Sequence, residues 1–234
     1  MNQSLTIAVP FFNEEQVIEK LYNELDTVIK NLSKNRDIHL LLVDDGSTDQ
    51  TGVLLKKYFP LSEKCKIITH HTNKNLDGFI RSCLEYCVTD LIVFLDSDCT
   101  FKPSLITDML DLLDDTISIV NGSPYHPEGS VDGVNKARLS LSYTSNYLYK
   151  KIVKKDIYTF TSIFKLYRVQ SIKNISIETK GFVSVTELFI KALRNGATHK
   201  EFPCTLTIRE EGVSKIKIFQ SIINHLAFMI KLIK

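Results

Sequence analysis

Leu91-Ile92-Val93-Phe94-Leu95-Asp96-Ser97-Asp98 is the most informative run in this chain. Five apolar residues, β-branched or aromatic among them, run directly into two carboxylates separated by one residue. A run this short and this apolar predicts a strand buried on both faces. Such strands belong to parallel sheets, where ligands gather at the carboxyl ends. Asp96 and Asp98 lie at that end. Two residues apart on extended chain, they point to one side. Together they can hold one hard divalent cation, whose open positions suit phosphate oxygens. The competing reading is that they cap the next helix. The nearest caps for the helix opened by Pro103 are Thr100 and Lys102, some residues later.

The chain upstream repeats the arrangement. Leu5–Val9 predicts a strand ended by Pro10. Asn13-Glu14-Glu15-Gln16 then has capping-box form ahead of a helix with an apolar face at Val17, Leu21, Leu25, Val28 and Leu32. His39–Val43 predicts a second strand, ending in Asp44-Asp45-Gly46-Ser47, with Ser47-Thr48-Asp49-Gln50 capping a helix to about Tyr58. Lys66–Thr69 is a third strand. Asn75-Leu76-Asp77-Gly78 turns into a helix through Cys87, and Ile117–Asn121 is a fifth strand. Strands and helices alternating at close spacing make an α/β fold with a mostly parallel central sheet flanked by helices. Pro10–Glu14, Asp44–Ser47 and Asp96–Asp98 all fall at strand ends, and their convergence says more than any one of them. Asp45 suits a base N–H or a ribose hydroxyl. His70 and His71, adjacent and facing opposite ways on a strand, read as structural.

After Asn121 the pattern weakens. Gly122–Gly133 reads as loop, Asn135–Ile152 as helix, Phe160–Tyr167 as extended and Thr186–Arg194 as a short helix. Two extended pieces flank Pro203. Glu187 is either a buried polar anchor or a carboxylate facing an acceptor. Ser214–Lys234 reads as one long helix with a wide apolar face and a narrow polar stripe of Lys217, Gln220, Ser221, Asn224 and Lys231. That face suits core packing, a dimer, a membrane-protein partner or a membrane interface. The division expected is residues 1–212 as the main domain and 213–234 as an appended amphipathic helix.

Composition sets bounds. The chain has 234 residues, 44% apolar and 24% charged, the balance of a globular domain. A net charge of +2 demands no nucleic-acid partner. Five scattered cysteines suit reduced thiols in a cytoplasmic protein. The start enters a strand at once, so no signal peptide is expected, and no 18-residue uncharged apolar run predicts a membrane span.

In order, Val9–Glu14, Val43–Asp49, Asn73–Gly78, Leu95–Asp98, Thr161–Arg168, Gly181-Phe182 with Glu187, and Arg209 with Ser214-Lys215 resemble the family 2 glycosyltransferases of GT-A fold. Within them the chain looks most like the dolichol-phosphate mannosyltransferase and polyprenyl-phosphate sugar transferase group. The resemblance implies an inverting, metal-dependent transfer of a sugar from a nucleotide-diphosphate sugar to a polyprenyl or dolichyl phosphate. The alternatives are a glycan or soluble acceptor, or a non-catalytic nucleotide-sugar-binding homologue. It implies a nucleotide pocket of Pro10, Asn13, Glu14, Asp44, Asp45 and Asp77. It also implies Mg²⁺ or Mn²⁺ on Asp96 and Asp98, with Thr100 where the group commonly has a glutamine ligand. Arg138, Arg209 and Lys215 would face the phosphates, the acceptor's included. Work at the cytoplasmic face of a membrane, through residues 213–234, follows from a lipid acceptor. Asn75 and Asp77 stand where glycines are usual, and both residue types tolerate left-handed backbone.

Overall fold

A computed structural model describes residues 3–133, 136–208 and 218–233. The first half follows the expected alternation: β1 (Leu5–Phe11), α1 (Ile18–Leu32), β2 (Ile38–Asp44), α2 (Thr51–Tyr58), β3 (Cys65–Thr69), α3 (Asn75–Tyr86), β4 (Leu91–Phe94), α4 (Leu105–Asp111) and β5 (Ile119–Ser123). The second half holds β6 (Ser130–Val131), α5 (Lys136–Val153), β7 (Lys165–Arg168), α6 (Val183–Arg194), β8 (His199–Pro203), β9 (Thr205–Leu206) and α7 (Ile218–Ile233). The boundary expected at 212/213 lies outside the described residues.

Seven strands form one sheet in the order β3-β2-β1-β4-β7-β5-β8. β7 alone runs against its neighbours; every other pairing in this sheet is parallel. β4 is buried on both faces, as its composition requires. Ile92 and Phe94 join the core under α3 and α6, while Leu91 and Val93 join the one under α1, α2 and α4. Phe94 packs on Phe79 of α3 and Tyr167 of β7, with ring centroids 5.2 and 5.5 Å apart. Burying an aromatic or aliphatic side chain of this size contributes roughly 1.5–3 kcal/mol, so the strand anchors both layers.

Two local expectations are corrected. Pro10 does not end β1. It pairs with Val43 inside the ladder, and the strand runs on to Phe11. Asn13 does not cap α1, which starts at Ile18 without any side-chain cap. Asn13 has left-handed backbone at φ 54°, and its Oδ1 instead accepts the Thr48 N–H at 2.7 Å. The capping-box pattern therefore served a tie between two loops.

Candidate active site

Because β1, β2, β4 and β5 run the same way, the segments that follow them meet at one edge of the sheet. The registers make this explicit: Phe11 pairs with Asp44, Ala8 with Phe94, and Phe94 with Lys165. The loops after β1 and β2 are laced together. Besides the Asn13–Thr48 bond, the Asn13 N–H donates to Ser47 Oγ at 2.9 Å, and the Glu14 N–H donates to Thr51 Oγ1 at 2.7 Å. The Glu15 carboxylate accepts the Gln50 N–H at 2.9 Å. The backbone around Pro10–Glu14 is thereby held in place before any ligand arrives.

Asp44 and Asp45 diverge, as neighbours on extended chain must. Asp44 Oδ1 accepts the Ser47 N–H at 3.0 Å, and Oδ2 faces Gly52 in the first turn of α2. Asp44 therefore closes the turn and sits at a helix N-terminus, where negative charge is favourable. Asp45 turns the other way. Its Oδ1 accepts the Lys74 N–H at 2.8 Å and lies 2.6 Å from His70 Nδ1. His70 is buried, and its Nε2 meets Ser82 Oγ at 2.9 Å. Both bonds to Asp45 land on Oδ1 and orient Oδ2. The turn needs Gly46, with φ of 75°, since a Cβ there would lie 2.9 Å from the Thr72 carbonyl carbon. His70, read from sequence as merely structural, holds the candidate nucleotide carboxylate.

Asn75 adopts φ 59°, the left-handed conformation expected of it. Asp77 is helical instead, and its Oδ1 accepts the Gly181 N–H at 2.9 Å, joining α3 to the turn before α6.

Asp96 and Asp98 follow β4 on that edge. Asp98 Oδ1 accepts the Thr100 N–H at 3.1 Å, across Cys99 with its φ of 55°. The Thr100 carbonyl in turn accepts the Thr207 N–H at 3.0 Å. Burial pushes the Asp96 carboxyl well above the usual carboxylate range, and the charge of Asp98 adds to this. Two neighbouring carboxylates, one of them strongly desolvated, are a donor set suited to a divalent cation. Among the described residues there is no cluster of three or more His, Cys, Asp or Glu that could hold a metal ion. A depression of ≈ 430 Å³ lined by Asp108, Asp111, His126 and Glu128 includes none of Asp45, Asp96 and Asp98.

Two further residues went unassigned or undecided in the sequence. Lys165, fully buried, donates from Nζ to the carbonyls of Phe160 and Ser162 and lies over the Phe189 ring at 5.1 Å. Burial lowers its pKa to about 7, against the opposing pull of Glu201, Cys204 and Asp96. The signal was a lone lysine inside Phe164-Lys165-Leu166-Tyr167. Glu187 is the buried anchor of the two readings. It accepts the N–H groups of Glu178 and Thr179 at 3.0 and 2.8 Å and the Thr179 hydroxyl at 2.7 Å, and it pairs with Lys191 at 2.7 Å. Burial by itself would raise its pKa, but Lys191 and these hydrogen bonds outweigh burial and hold it below the usual value. Arg138 stands in the first turn of α5. Arg209 and Lys215 lie outside the described residues.

Comparison with known proteins fits this geometry. The family model described as glycosyl transferase family 2 matches residues 6–176. The polyprenol monophosphomannose synthase of Mycolicibacterium smegmatis is 27% identical over 222 residues, covering 92% of this chain and 81% of that protein. The uncharacterized glycosyltransferase YkcC of Bacillus subtilis is 32% identical over 106 residues, 45% of this chain and 32% of its own. Among solved structures, glucosyl-3-phosphoglycerate synthase from Mycobacterium tuberculosis has the same fold. Its complex with Mn²⁺, UDP-glucose and phosphoglyceric acid superposes with a TM-score of 0.73 at 15% identity, covering 99% of this chain and 80% of that one. A complex of that protein with Mg²⁺ and UDP superposes at 0.70. The GT-A sheet and the family match together make this chain a glycosyltransferase of family 2.

Proposed function

We propose that the protein transfers a sugar, with inversion, from a nucleotide-diphosphate sugar to a polyprenyl or dolichyl phosphate. The observation that carries the donor half is the meeting of an oriented Asp45 carboxylate with the Asp96–Asp98 pair on one sheet edge. Asp45 Oδ2, an acceptor, suits a base N–H. Pro10 and Glu14 would lie in the nucleotide pocket, and Asn13, Asp44 and Asp77 hold the loops that would frame it. Asp96 and Asp98, with Thr100 adjoining, would hold Mg²⁺ or Mn²⁺. When bound, that ion neutralises charge gathering on the departing diphosphate.

The acceptor half is supported by the likeness to a polyprenol monophosphomannose synthase over most of both chains. A phosphate acceptor is already anionic at neutral pH, so its oxygen attacks the anomeric carbon in line without a general base. Positioning by cations then does most of the work, and Arg138, Arg209 and Lys215 are assigned that role. A lipid-borne acceptor also requires the chain to work at a membrane surface.

The test is a screen of UDP- and GDP-sugars with Mn²⁺ or Mg²⁺, offering polyprenyl phosphate and, separately, sugar acceptors. Transfer to polyprenyl phosphate is expected. Transfer only to sugar acceptors would overturn the acceptor assignment. Nucleotide-sugar binding without metal dependence or turnover would overturn the catalytic one.

A further inference from the structure

The sequence left open whether the apolar face of α7 is buried or exposed; the helix does both. One side is docked. His225, Phe228 and Met229 are buried, and the Tyr149 hydroxyl of α5 meets His225 Nδ1 at 2.8 Å. On the opposite side Ile223, Leu226, Ile230 and Ile233 are 44%, 49%, 58% and 71% exposed. Their spacing of three, four and three places them on one stripe along the helix. Four large aliphatic side chains aligned in water are a patch that calls for a partner.

We propose that this stripe lies in the surface of a bilayer containing anionic lipids. The charges around it fit that occupant. No Asp or Glu occurs between Ile218 and Ile233. Lys231 is exposed beside Ile230. At the same end Arg194 of α6 is exposed and donates to the Leu232 carbonyl at 2.9 Å, so a second cation accompanies the last turn. An apolar stripe flanked by cations is what an interfacial helix presents to lipid headgroups. Among the described residues no helix is long and apolar enough to cross a membrane, so contact is by lying on the surface. A second copy of the chain fits less well. The four exposed aliphatic side chains fall short of the ~800 Å² per partner of a standard protein interface. The inference stands on the helix alone. Its link to a lipid acceptor rests on the function proposed above.

The experiment is co-sedimentation of the full chain with phosphatidylcholine vesicles, with and without phosphatidylglycerol, at low and high salt. Binding to the anionic vesicles that weakens with salt is expected. The double variant Leu226→Glu, Ile230→Glu should lose vesicle affinity by about a hundredfold, since two apolar contacts become charged. Its UDP binding and thermal unfolding should match the wild type, because both positions face solvent. The proposal is overturned if the wild type stays in the supernatant with anionic vesicles, or if the double variant sediments equally. It is also overturned if the wild type is a dimer that Leu226→Glu splits without any vesicle binding. Vesicle binding in a protein that fails to glycosylate polyprenyl phosphate would overturn the acceptor assignment and leave this inference standing.

Discussion

The sheet edge after β1, β2 and β4 and the helical layer of α5, α6 and α7 use polar groups in opposite ways. At the edge, protein–protein hydrogen bonds orient carboxylates: Asp45 takes two bonds on Oδ1, and Asp98 Oδ1 takes the Thr100 N–H. In the helical layer Glu187 and His225 are turned inward. Glu187 is filled by two N–H donors, one O–H donor and a lysine, and His225 is buried against Tyr149. We propose that the first region meets a ligand; the second uses Glu187 and His225 to hold the layer together. Substitution should therefore cost binding or turnover in one and stability in the other.

The largest expected effect lies at the edge. Asp96→Asn should lower sugar transfer at least about a thousandfold, roughly 4 kcal/mol of barrier, if the pair holds the ion that neutralises the leaving diphosphate. Stability should stay level or rise, because a mutual repulsion is relieved. Steady-state transfer assays with a thermal melt decide it, and full activity in the variant would remove the metal role from this pair.

Next, in the helical layer, Glu187→Gln should destabilise the fold by about 3 kcal/mol, since it leaves Lys191 and two backbone N–H groups with a poorer partner. Donor-nucleotide affinity should not change. A denaturant titration beside calorimetry with UDP and GDP reads both, and a loss of affinity at unchanged stability would erase the distinction between the regions.

The donor edge was legible because its chemistry sits at the ends of buried strands. A run such as Leu91–Leu95 is hard to place anywhere but in a sheet interior, and parallel strands bring their ends together. What stayed hidden depends on contacts distant in sequence. β7 slots antiparallel between β4 and β5, with Arg168 opposite Leu91, and nothing local announces that partner. Lys165 opens β7 between Phe164 and Leu166, and its buried ammonium is met by carbonyls of the preceding loop. Asn13 carried a helix-cap signature but serves a loop 35 residues away. The polar stripe assigned to α7 is interrupted by Phe228, which packs against Tyr149. The helix therefore turns an apolar stripe outward, a choice that α5 makes and the α7 pattern alone does not.

A smaller effect comes from pH in the helical layer. Burial lowers the His225 pKa from 6.5 to about 4. Between those values the unfolded chain binds the proton and the folded chain does not. Stability is therefore complete above pH 6.5 and falls as pH drops toward 4. From pH 7 to pH 5 the loss from this group should be about 2 kcal/mol. Chemical denaturation at both pH values measures it, and His225→Gln should remove that part of the dependence. An unchanged slope in the variant would show that other groups carry it.

The smallest effect tests whether orientation at the edge is energetic in its own right. His70 lies within 2.6 Å of Asp45 and is placed by Ser82, yet it has no assigned contact with the nucleotide. His70→Gln keeps a donor but shifts its position, so Asp45 should wander over a wider range of angles. About a tenfold loss of nucleotide affinity is expected, near 1.4 kcal/mol, with turnover at saturating donor unchanged. The informative measurement is the double-mutant cycle with Asp45→Asn. If His70 acts through the carboxylate, its substitution costs nothing further once Asp45 is an amide. Additive losses would mean that His70 touches the ligand itself. Unchanged affinity in the single variant would mean that the Lys74 N–H suffices to aim Asp45, and that this part of the edge is closer to the helical layer in character than its place at the strand ends suggests.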